Sequence, residues 1–374
     1  MSIETSNDIS RRDPANGLRV GFIGAGWTER VQIPTFLLGG LHAQAISAGH
    51  EENARRVAAK FNIPEVYADW RDLLRSENVD LVSIVTPPHL HCEMALAALR
   101  AGKHVICEKP TALNVAEAEN MFAAAQAAPG QLAIIDHELR FHPLRAHMRQ
   151  LLREGYIGSP LYIELDWLYG HRLNTQLPWN WHSDADRGGG SLGSLGSHLI
   201  DLARWLLGRI DALSAQLQTA HFLRIDPDAQ AQRRVTADDY AHLMLQFGSG
   251  IQGRITVNAL YPEDKGMSVL LVGTEGALRI DYADRLWGMR TPNYPKGTWV
   301  EIHPGGPVVD RAALPNASPF TLGSYFLARA LAEAHKQGGL LALPDAATFY
   351  DGLVVQRVLD AARRSQRERV WVRL

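Results

Sequence analysis

Two side chains in this sequence have the type and setting for proton and electron-pair chemistry on a carbon–oxygen bond. The first is Lys109, in Glu108-Lys109-Pro110, which follows an apolar strand pattern over residues 103–107. An ammonium at a strand end donates to a substrate oxygen and stabilises an alkoxide as the carbon beside it is oxidised. Its compact charge also shifts pKa readily on burial. The same lysine reads equally as an exposed strand-end cation paired with Glu108. The second is His198, in the run Arg187-Gly188-Gly189-Gly190-Ser191-Leu192-Gly193-Ser194-Leu195-Gly196-Ser197-His198-Leu199-Ile200-Asp201. Its glycines let backbone approach a ligand closely. A helix starting near Ser194 sets His198 one turn further along the same face. A histidine facing a cleft removes the hydroxyl proton of an alcohol; one bonded to backbone or to Asp201 is structural.

A third feature points to the electron acceptor. Residues 18–23 (LRVGFI) read as a buried strand that enters Gly24-Ala25-Gly26-Trp27-Thr28-Glu29. Gly24 and Gly26, with Trp27 and Thr28 opening a helix, fit a turn that cradles a pyrophosphate at a helix N-terminus. Glu29 stands where a third glycine is usual, and Pro34 is expected to delay or kink the helix. At the end of the second strand, residues 41–47, an acidic residue ordinarily accepts from the ribose of NAD. Here Ser47-Ala48-Gly49-His50 occupies that place. Ser47 and His50 can bond a 2′-phosphate, with Arg55 or Arg56 nearby, so NAD or NADP is expected with a lean to NADP.

The elements that position these residues alternate through the first half. Strands are expected over 18–23, 41–47, 80–85, 103–107 and 132–136. Helices are expected over 51–61, after Asp69, over 89–99 and from Asn114. Such alternation implies βαβ units, a doubly wound parallel Rossmann sheet, and ligands outside the carboxyl ends of its strands. The Gly24 turn, Ser47, Thr86-Pro87, Glu108-Lys109 and His137 all fall there. The second half changes to consecutive alternating segments over 161–169, 213–220, 240–247, 251–260, 268–272 and 277–282. This pattern predicts an α+β domain with a large open, mostly antiparallel sheet. A second copy covering its free face gives a homodimer or homotetramer. The expected division is a flexible tail over 1–17, a dinucleotide-binding domain over 18–137, and a substrate-binding and oligomerisation domain over 138–374. A closing helix at 345–364 packs back toward the first domain.

Composition narrows the class. The 374 residues are 46% hydrophobic and 21% charged with a net charge of -2, ordinary for a globular protein and giving no reason to expect nucleic acid as a partner. No window is apolar enough to span a bilayer, and the polar N-terminus lacks a signal-like apolar core. Two cysteines, Cys92 and Cys107, fit a reducing, cytoplasmic setting. No metal is expected: His137-Glu138-Leu139-Arg140-Phe141 begins like a zinc motif, but Phe141 replaces the second histidine. Of the tryptophans near the triple glycine, Trp181 is the one expected in a pocket; packing is the expected fate of most others.

Taken in order, these pieces resemble the Gfo/Idh/MocA oxidoreductase family. The match rests on Gly24-Ala25-Gly26, Thr86-Pro87-Pro88-His89-Leu90-His91, Ala97-Ala98-Leu99-Arg100-Ala101-Gly102-Lys103-His104-Val105 and Glu108-Lys109-Pro110. It continues through Arg140-Phe141-His142-Pro143, Gly188-Gly189-Gly190 and Gly196-Ser197-His198-Leu199-Ile200-Asp201. The resemblance implies an NAD(P)-dependent oxidoreductase acting on a sugar, polyol or related small molecule and yielding a lactone or ketone. It implies that Thr86, Pro87 and His91 border the nicotinamide and that Lys109 touches both cofactor and substrate through a Lys109–Pro110 bond that can be cis. His137 and Arg140 would flank the cleft, and His198 would act as base. One position departs from the pattern: sugar-oxidising relatives often carry an aspartate four residues before the histidine, where this chain has Ser194. Asp184, Asp186 or another residue could supply the missing carboxylate. A nucleotide-binding sensor without turnover is the competing reading, and reduction of a carbonyl or ring bond is favoured if the crevice proves apolar.

Overall fold

The computed structural model describes residues 17–290, 296–305, 309 and 311–374. The tail expected over 1–17 lies, Gly17 aside, outside them. The first half runs β1 (Arg19–Ile23), α1 (Ile33–Leu38), β2 (His42–Ser47), α2 (Glu51–Phe61), β3 (Glu65–Tyr67), α3 (Trp70–Arg75) and β4 (Leu81–Ile84). It continues with α4 (His91–Arg100), β5 (His104–Cys107), α5 (Val115–Ala127) and β6 (Ala133–Ile135). After α6 (Pro143–Arg153) come β7 (Pro160–Leu168), α7 (Ser197–Leu207), β8 (Ile210–Gln218), β9 (Leu223–Asp226), β10 (Ala231–Arg234), β11 (Tyr240–Phe247) and β12 (Gln252–Asn258). The chain ends with β13 (Gly266–Gly273), β14 (Gly276–Ile280), β15 (Leu286–Arg290), β16 (Val300–Ile302), α8 (Pro319–Lys336), β17 (Ala347–Thr348), α9 (Phe349–Glu368) and β18 (Val372–Arg373).

The short apolar strands of the first half form a seven-stranded sheet in the order β17-β6-β5-β4-β1-β2-β3. All neighbours are parallel except β17 on β6. Strand order reverses between β1 and β4, which opens a crevice at their carboxyl ends. One face of this sheet is covered by α1 and by α8, a helix from much later in the chain: Val20, Phe22, Ile33, Phe36, Leu327 and Leu331 share one core cluster. On the other face Met94, Val105, Phe349 and Leu353 pack together.

The second sheet has nine strands, β16-β15-β14-β13-β7-β12-β11-β8-β18, antiparallel apart from the β7–β12 pair. Its inner face, with Ile163, Leu165, Leu243 and Ile255, packs on Leu199 and Leu202 of α7 and Val358 and Leu359 of α9. The alternate residues face outward: Met244 is half exposed, and Arg254 ion-pairs with Glu164 and Asp166. The closing helix begins with a Thr348–Asp351 capping box and runs to Glu368, four residues past the expected end. It docks on α5, where Asp360 accepts from the Val115 backbone N–H and Arg357 pairs with Glu119. Not foreseen were β3, the β9–β10 hairpin, β15, β16, α8, β18 and β17, which takes residues 347–348 from the helix expected to begin at 345. Among the described residues no helix is long and apolar enough to cross a membrane.

Candidate functional site

A cleft of about 990 Å³ opens above the β1–β4 switch point, walled by the first sheet's strand ends and by α7, α8 and the loop around Trp181. Its floor is the glycine turn. Gly24 has φ +118°, and a Cβ there would lie 2.1 Å from the Val85 carbonyl oxygen. That contact lets β1 and β4 approach at the crevice, and only glycine permits it. Around Gly26 there is open space on the ligand side. Beyond it Thr28–Gln32 form a π-turn that leads into α1, with Pro34 near the helix start. The π-turn is where the expected kink is absorbed. Glu29 does not obstruct the turn: it points away to Arg56 at 2.8 Å and Lys60 at 3.1 Å on α2. A dinucleotide's pyrophosphate therefore fits the residues present.

Replacing Gly24 with alanine is expected to destabilise the fold by about 1–3 kcal/mol from backbone strain alone, before the clash with Val85 is counted. Urea unfolding and coenzyme fluorescence titration check this. A variant with unchanged midpoint and affinity would contradict the role given to the turn.

Lys109 follows β5, and its peptide bond to Pro110 is cis. Its Nζ donates to the Ser194 carbonyl at 2.8 Å, which ties the first sheet to the glycine-rich loop. Glu108 does not pair with this ammonium. Glu108 instead accepts from the Lys109 backbone N–H at 3.3 Å and from the Gln32 amide at 3.1 Å. The same amide donates to Asp136 at 2.7 Å, and Ser83 donates to the Gln32 carbonyl at 2.7 Å. Burial first, then the charge of Asp136, raises the Glu108 carboxyl well into the neutral range.

His198 is buried at the cleft wall on the first turn of α7. The loop before it is shaped by close approaches: at Gly190 (φ +108°) a Cβ would sit 2.3 Å from Asp238 Oδ1. That carboxylate accepts the Leu192 N–H at 2.7 Å. The helix expected from Ser194 is a π-turn, Leu192–Gly196, that hands over to α7 at Ser197. The His198 ring packs against Phe320 of α8 at 4.8 Å and against His137 at 5.5 Å. Neither ring nitrogen has a hydrogen-bond partner among the described residues, and burial first, then Lys109, holds its pKa well below the usual value.

Of the residues expected on the cofactor, Gly24, Gly26, Trp27, Ser47, His50, Thr86, Pro87, Glu108 and Lys109 border the cleft, as do Trp181, Ser194 and His198 on the substrate side. Four expected residues do not. Thr28 is fully buried behind the turn. His91 sits between the carbonyls of Thr86 (2.8 Å) and Pro110 (3.0 Å), fixing the two loops to each other. His137 lies behind His198. Arg140 is buried and doubly bonded to Asp201 at 2.6 and 2.8 Å, with Asp351 at 3.2 Å, and it borders a separate cavity. Asp184 and Asp186 also stand outside the cleft. Of the two arginines expected near a 2′-phosphate, Arg55 pairs with Glu51 and Arg56 with Glu29.

Sequence reasoning missed Phe320, Glu138, Tyr169, Arg172 and His182, all of which border the cleft. A signal existed for the first: Ser318-Pro319 is a helix-start pair, and Leu327 and Leu331 follow at helical spacing.

Residues 18–135 match the family described as "Oxidoreductase family, NAD-binding Rossmann fold", and residues 146–279 match "GFO/IDH/MocA C-terminal domain". An uncharacterized oxidoreductase of Synechocystis sp. is 35% identical over 75% of this chain and 76% of its own length. Human glucose-fructose oxidoreductase domain-containing protein 2 is 30% identical over 94% of this chain and 92% of its own. Among solved structures, an oxidoreductase domain protein from Kribbella flavida superposes with a TM-score of 0.86 at 30% identity, covering 96% of this chain and 99% of that one. A levoglucosan dehydrogenase in complex with NADH and levoglucosan superposes with a TM-score of 0.85 at 25% identity and the same coverage. The chain is an NAD-binding oxidoreductase and belongs to the GFO/IDH/MocA family.

Proposed function

We propose that this protein is an NAD-dependent dehydrogenase that oxidises a CH–OH group of a sugar, polyol or related hydroxy compound to a lactone or ketone. The observation that carries the reading is the opening of the Gly24–Gly26 turn, the Lys109 ammonium and His198 on one cleft. When bound, the nicotinamide supplies the two-electron acceptor. Lys109, steadied by the Ser194 carbonyl, has two further N–H groups for the oxygen on which charge develops. His198, kept neutral by burial, is ready to accept the hydroxyl proton. Trp181, stacked on His182 at 3.6 Å, offers an aromatic wall for sugar C–H groups. The polar wall of Tyr169, Arg172, Asn180 and His182 favours a hydroxylated ligand over an apolar carbonyl or ring substrate.

Preference for NAD over NADP is supported by the charge around the adenosine end. Ser47, His50, Asn53 and Asp69 border the cleft there, while Arg55, Arg56 and Lys60 are engaged by Glu51 and Glu29. A 2′-phosphate there would meet the Asp69 carboxylate, while these three cations are already taken by Glu51 and Glu29. The reading extends to a homodimer or homotetramer through the uncovered face of the nine-stranded sheet. It also extends to a cytoplasmic setting, supported by the free thiols of Cys92 and Cys107.

Reduced-coenzyme formation across a panel of sugars and polyols tests the function. We expect turnover with NAD+ at a kcat/KM at least about tenfold above that with NADP+, the worth of about 1.4 kcal/mol. Coenzyme binding without turnover on any hydroxy substrate would favour a sensor.

A further inference from the structure

The position four residues before His198 is Ser194, and its contribution is a backbone carbonyl taken by Lys109. Neither nearby aspartate compensates: Asp184 accepts the Asp186 N–H at 3.1 Å and lies beside Arg233, outside the cleft. A carboxyl does face His198, from a different element. Glu138 opens the 3-10 turn after β6, and its Oε2 lies 3.8 Å from His198 Nδ1. The two side chains are 3% and 1% exposed. Neither Glu138 Oε2 nor either nitrogen of His198 has a hydrogen-bond partner among the described residues, and the 3.8 Å approach is longer than a hydrogen bond.

The surroundings separate Glu138 from its neighbours. Glu108 and Asp136 are both held by the Gln32 amide, so each has a fixed donor. Glu138 is left with a free oxygen directed at the imidazole. Space for it depends on α8: a Cβ at Gly323 would sit 2.4 Å from the Glu138 carbonyl oxygen and 3.2 Å from its Cγ. A buried carboxyl oxygen left without a donor is costly unless it holds a proton or shares one. The charged and titratable groups facing this pair are Lys109, Glu108 and Asp136 from the strand ends and His137 behind the ring. Phe320 and Gly323 are what α8 presents.

We infer that Glu138 is the proton partner of His198, supplying from the β6 end the carboxylate that Ser194 cannot. This rests on the dehydrogenase reading above. In oxidation, the substrate O–H bond breaks and a bond forms from its hydrogen to His198 Nε2. With the 3.8 Å gap shortened to hydrogen-bond distance in the ternary complex, the Nδ1–H bond breaks and an O–H bond forms at Glu138 Oε2. The substrate C–H electron pair leaves with its hydrogen to the bound nicotinamide, and the carbonyl forms. The step requires Glu138 as a carboxylate, the form that burial first and then the charges of Asp136 and Glu108 disfavour, so it is open only to the fraction of molecules in which Glu138 has lost its proton, and it ends with Glu138 protonated. Because it borders the cleft, it returns the proton to water once product has gone. Glu138 acts through His198 and is a positioning and relay residue.

The test uses the full chain carrying Glu138→Gln or Glu138→Asp. For Glu138→Gln we expect kcat to fall about 100-fold, the lower end for a positioned proton-transfer group. KM and the NAD+ dissociation constant should stay within about threefold, by our expectation of a role confined to proton transfer. The rise of kcat with pH expected in the parent, as Glu138 loses its proton, should disappear. Glu138→Asp should restore that rise with part of the rate. In parallel, 15N-histidine NMR of the coenzyme-free parent, assigned by loss of a signal in His198→Asn, should show the Nδ1–H tautomer. In Glu138→Gln that signal should shift. A folded Glu138→Gln with parental kcat and pH profile overturns the inference, and so does a parent His198 in the Nε2–H tautomer. Absence of turnover in the parent would count against the dehydrogenase reading, and the NMR result would still decide the His198–Glu138 pair.

Discussion

Lys109→Ala is expected to lower kcat by about 100- to 1,000-fold, about 2.7–4 kcal/mol of lost transition-state stabilisation, the range for removing one donor aimed at a developing oxyanion. The NAD+ dissociation constant should change far less. The asymmetry follows from where the ammonium is anchored. Its one hydrogen bond among the described residues goes to the Ser194 carbonyl, a neutral acceptor that fixes Nζ without cancelling its charge. The adjacent carboxyl does not cancel it either, because Glu108 bonds the Lys109 backbone and Gln32 and is raised toward the protonated form by burial and by Asp136. A full positive charge thus stands over a cleft walled by low-dielectric core, where it acts on charge that develops during reaction and little on the ground-state alcohol. The coenzyme is held mainly elsewhere, at the Gly24–Gly26 turn and the Ser47–Asn53 edge. Lys109→Arg should not restore the rate, since a planar fork cannot occupy the place of a compact point charge. Single-turnover kinetics with fluorescence titration of coenzyme separates the two quantities. Equal losses in rate and affinity would mean that Lys109 holds the dinucleotide and plays no special part in the chemistry.

Much of this site was legible because its signals are local. Gly24, Lys109 and the strands that carry them announce themselves within a few residues, since a buried parallel strand is an apolar run and its end is marked by glycine or proline. The features that escaped depend on partners far apart in sequence. Arg140 was expected at the cleft, but a guanidinium follows its carboxylates, and Asp201 and Asp351 turn it to the other side of α7. His91, at the start of α4, and His137, at the expected strand end, are both buried away from the cleft, with His91 held by the Thr86 and Pro110 carbonyls. Glu138 was weighed only as part of a failed metal motif; its approach to His198 joins two elements sixty residues apart, which no spacing rule contains. Phe320 was missed with the whole of α8, whose helical pattern begins beyond a stretch rich in glycine, proline and asparagine that reads as loop. That helix covers the first sheet although it belongs to the last sixty residues, so a linear division of the chain at 137 separates the site from one of its walls.

His198→Asn tests the other half of the chemistry, and its effects on rate and on acid stability have the same cause. The ring is enclosed by Phe320, His137 and Glu138, with Lys109 close by, so its protonated form is disfavoured first by burial and then by the ammonium. It therefore remains a free base through the neutral range, and the fall of wild-type turnover at lower pH should follow Glu138 and vanish in Glu138→Gln, with no separate step from His198 at the ordinary histidine value of about 6.5. Removing the base is expected to cost about 10²–10⁴-fold in kcat with little change in coenzyme affinity. The linkage runs in a definite direction. A histidine whose folded pKa is depressed leaves the unfolded chain binding more protons below about pH 6.5, so stability is lost as pH falls from there toward the folded value. His137, lowered to about 4 by burial, contributes in the same window. His198→Asn should therefore lose less stability between pH 7 and pH 5 than the parent does, while His137 keeps part of that acid sensitivity in both. Urea midpoints measured across this range beside kcat decide the matter. If the variant loses its rate but keeps the parent's full acid sensitivity, His198 is not the buried neutral base that its enclosure implies.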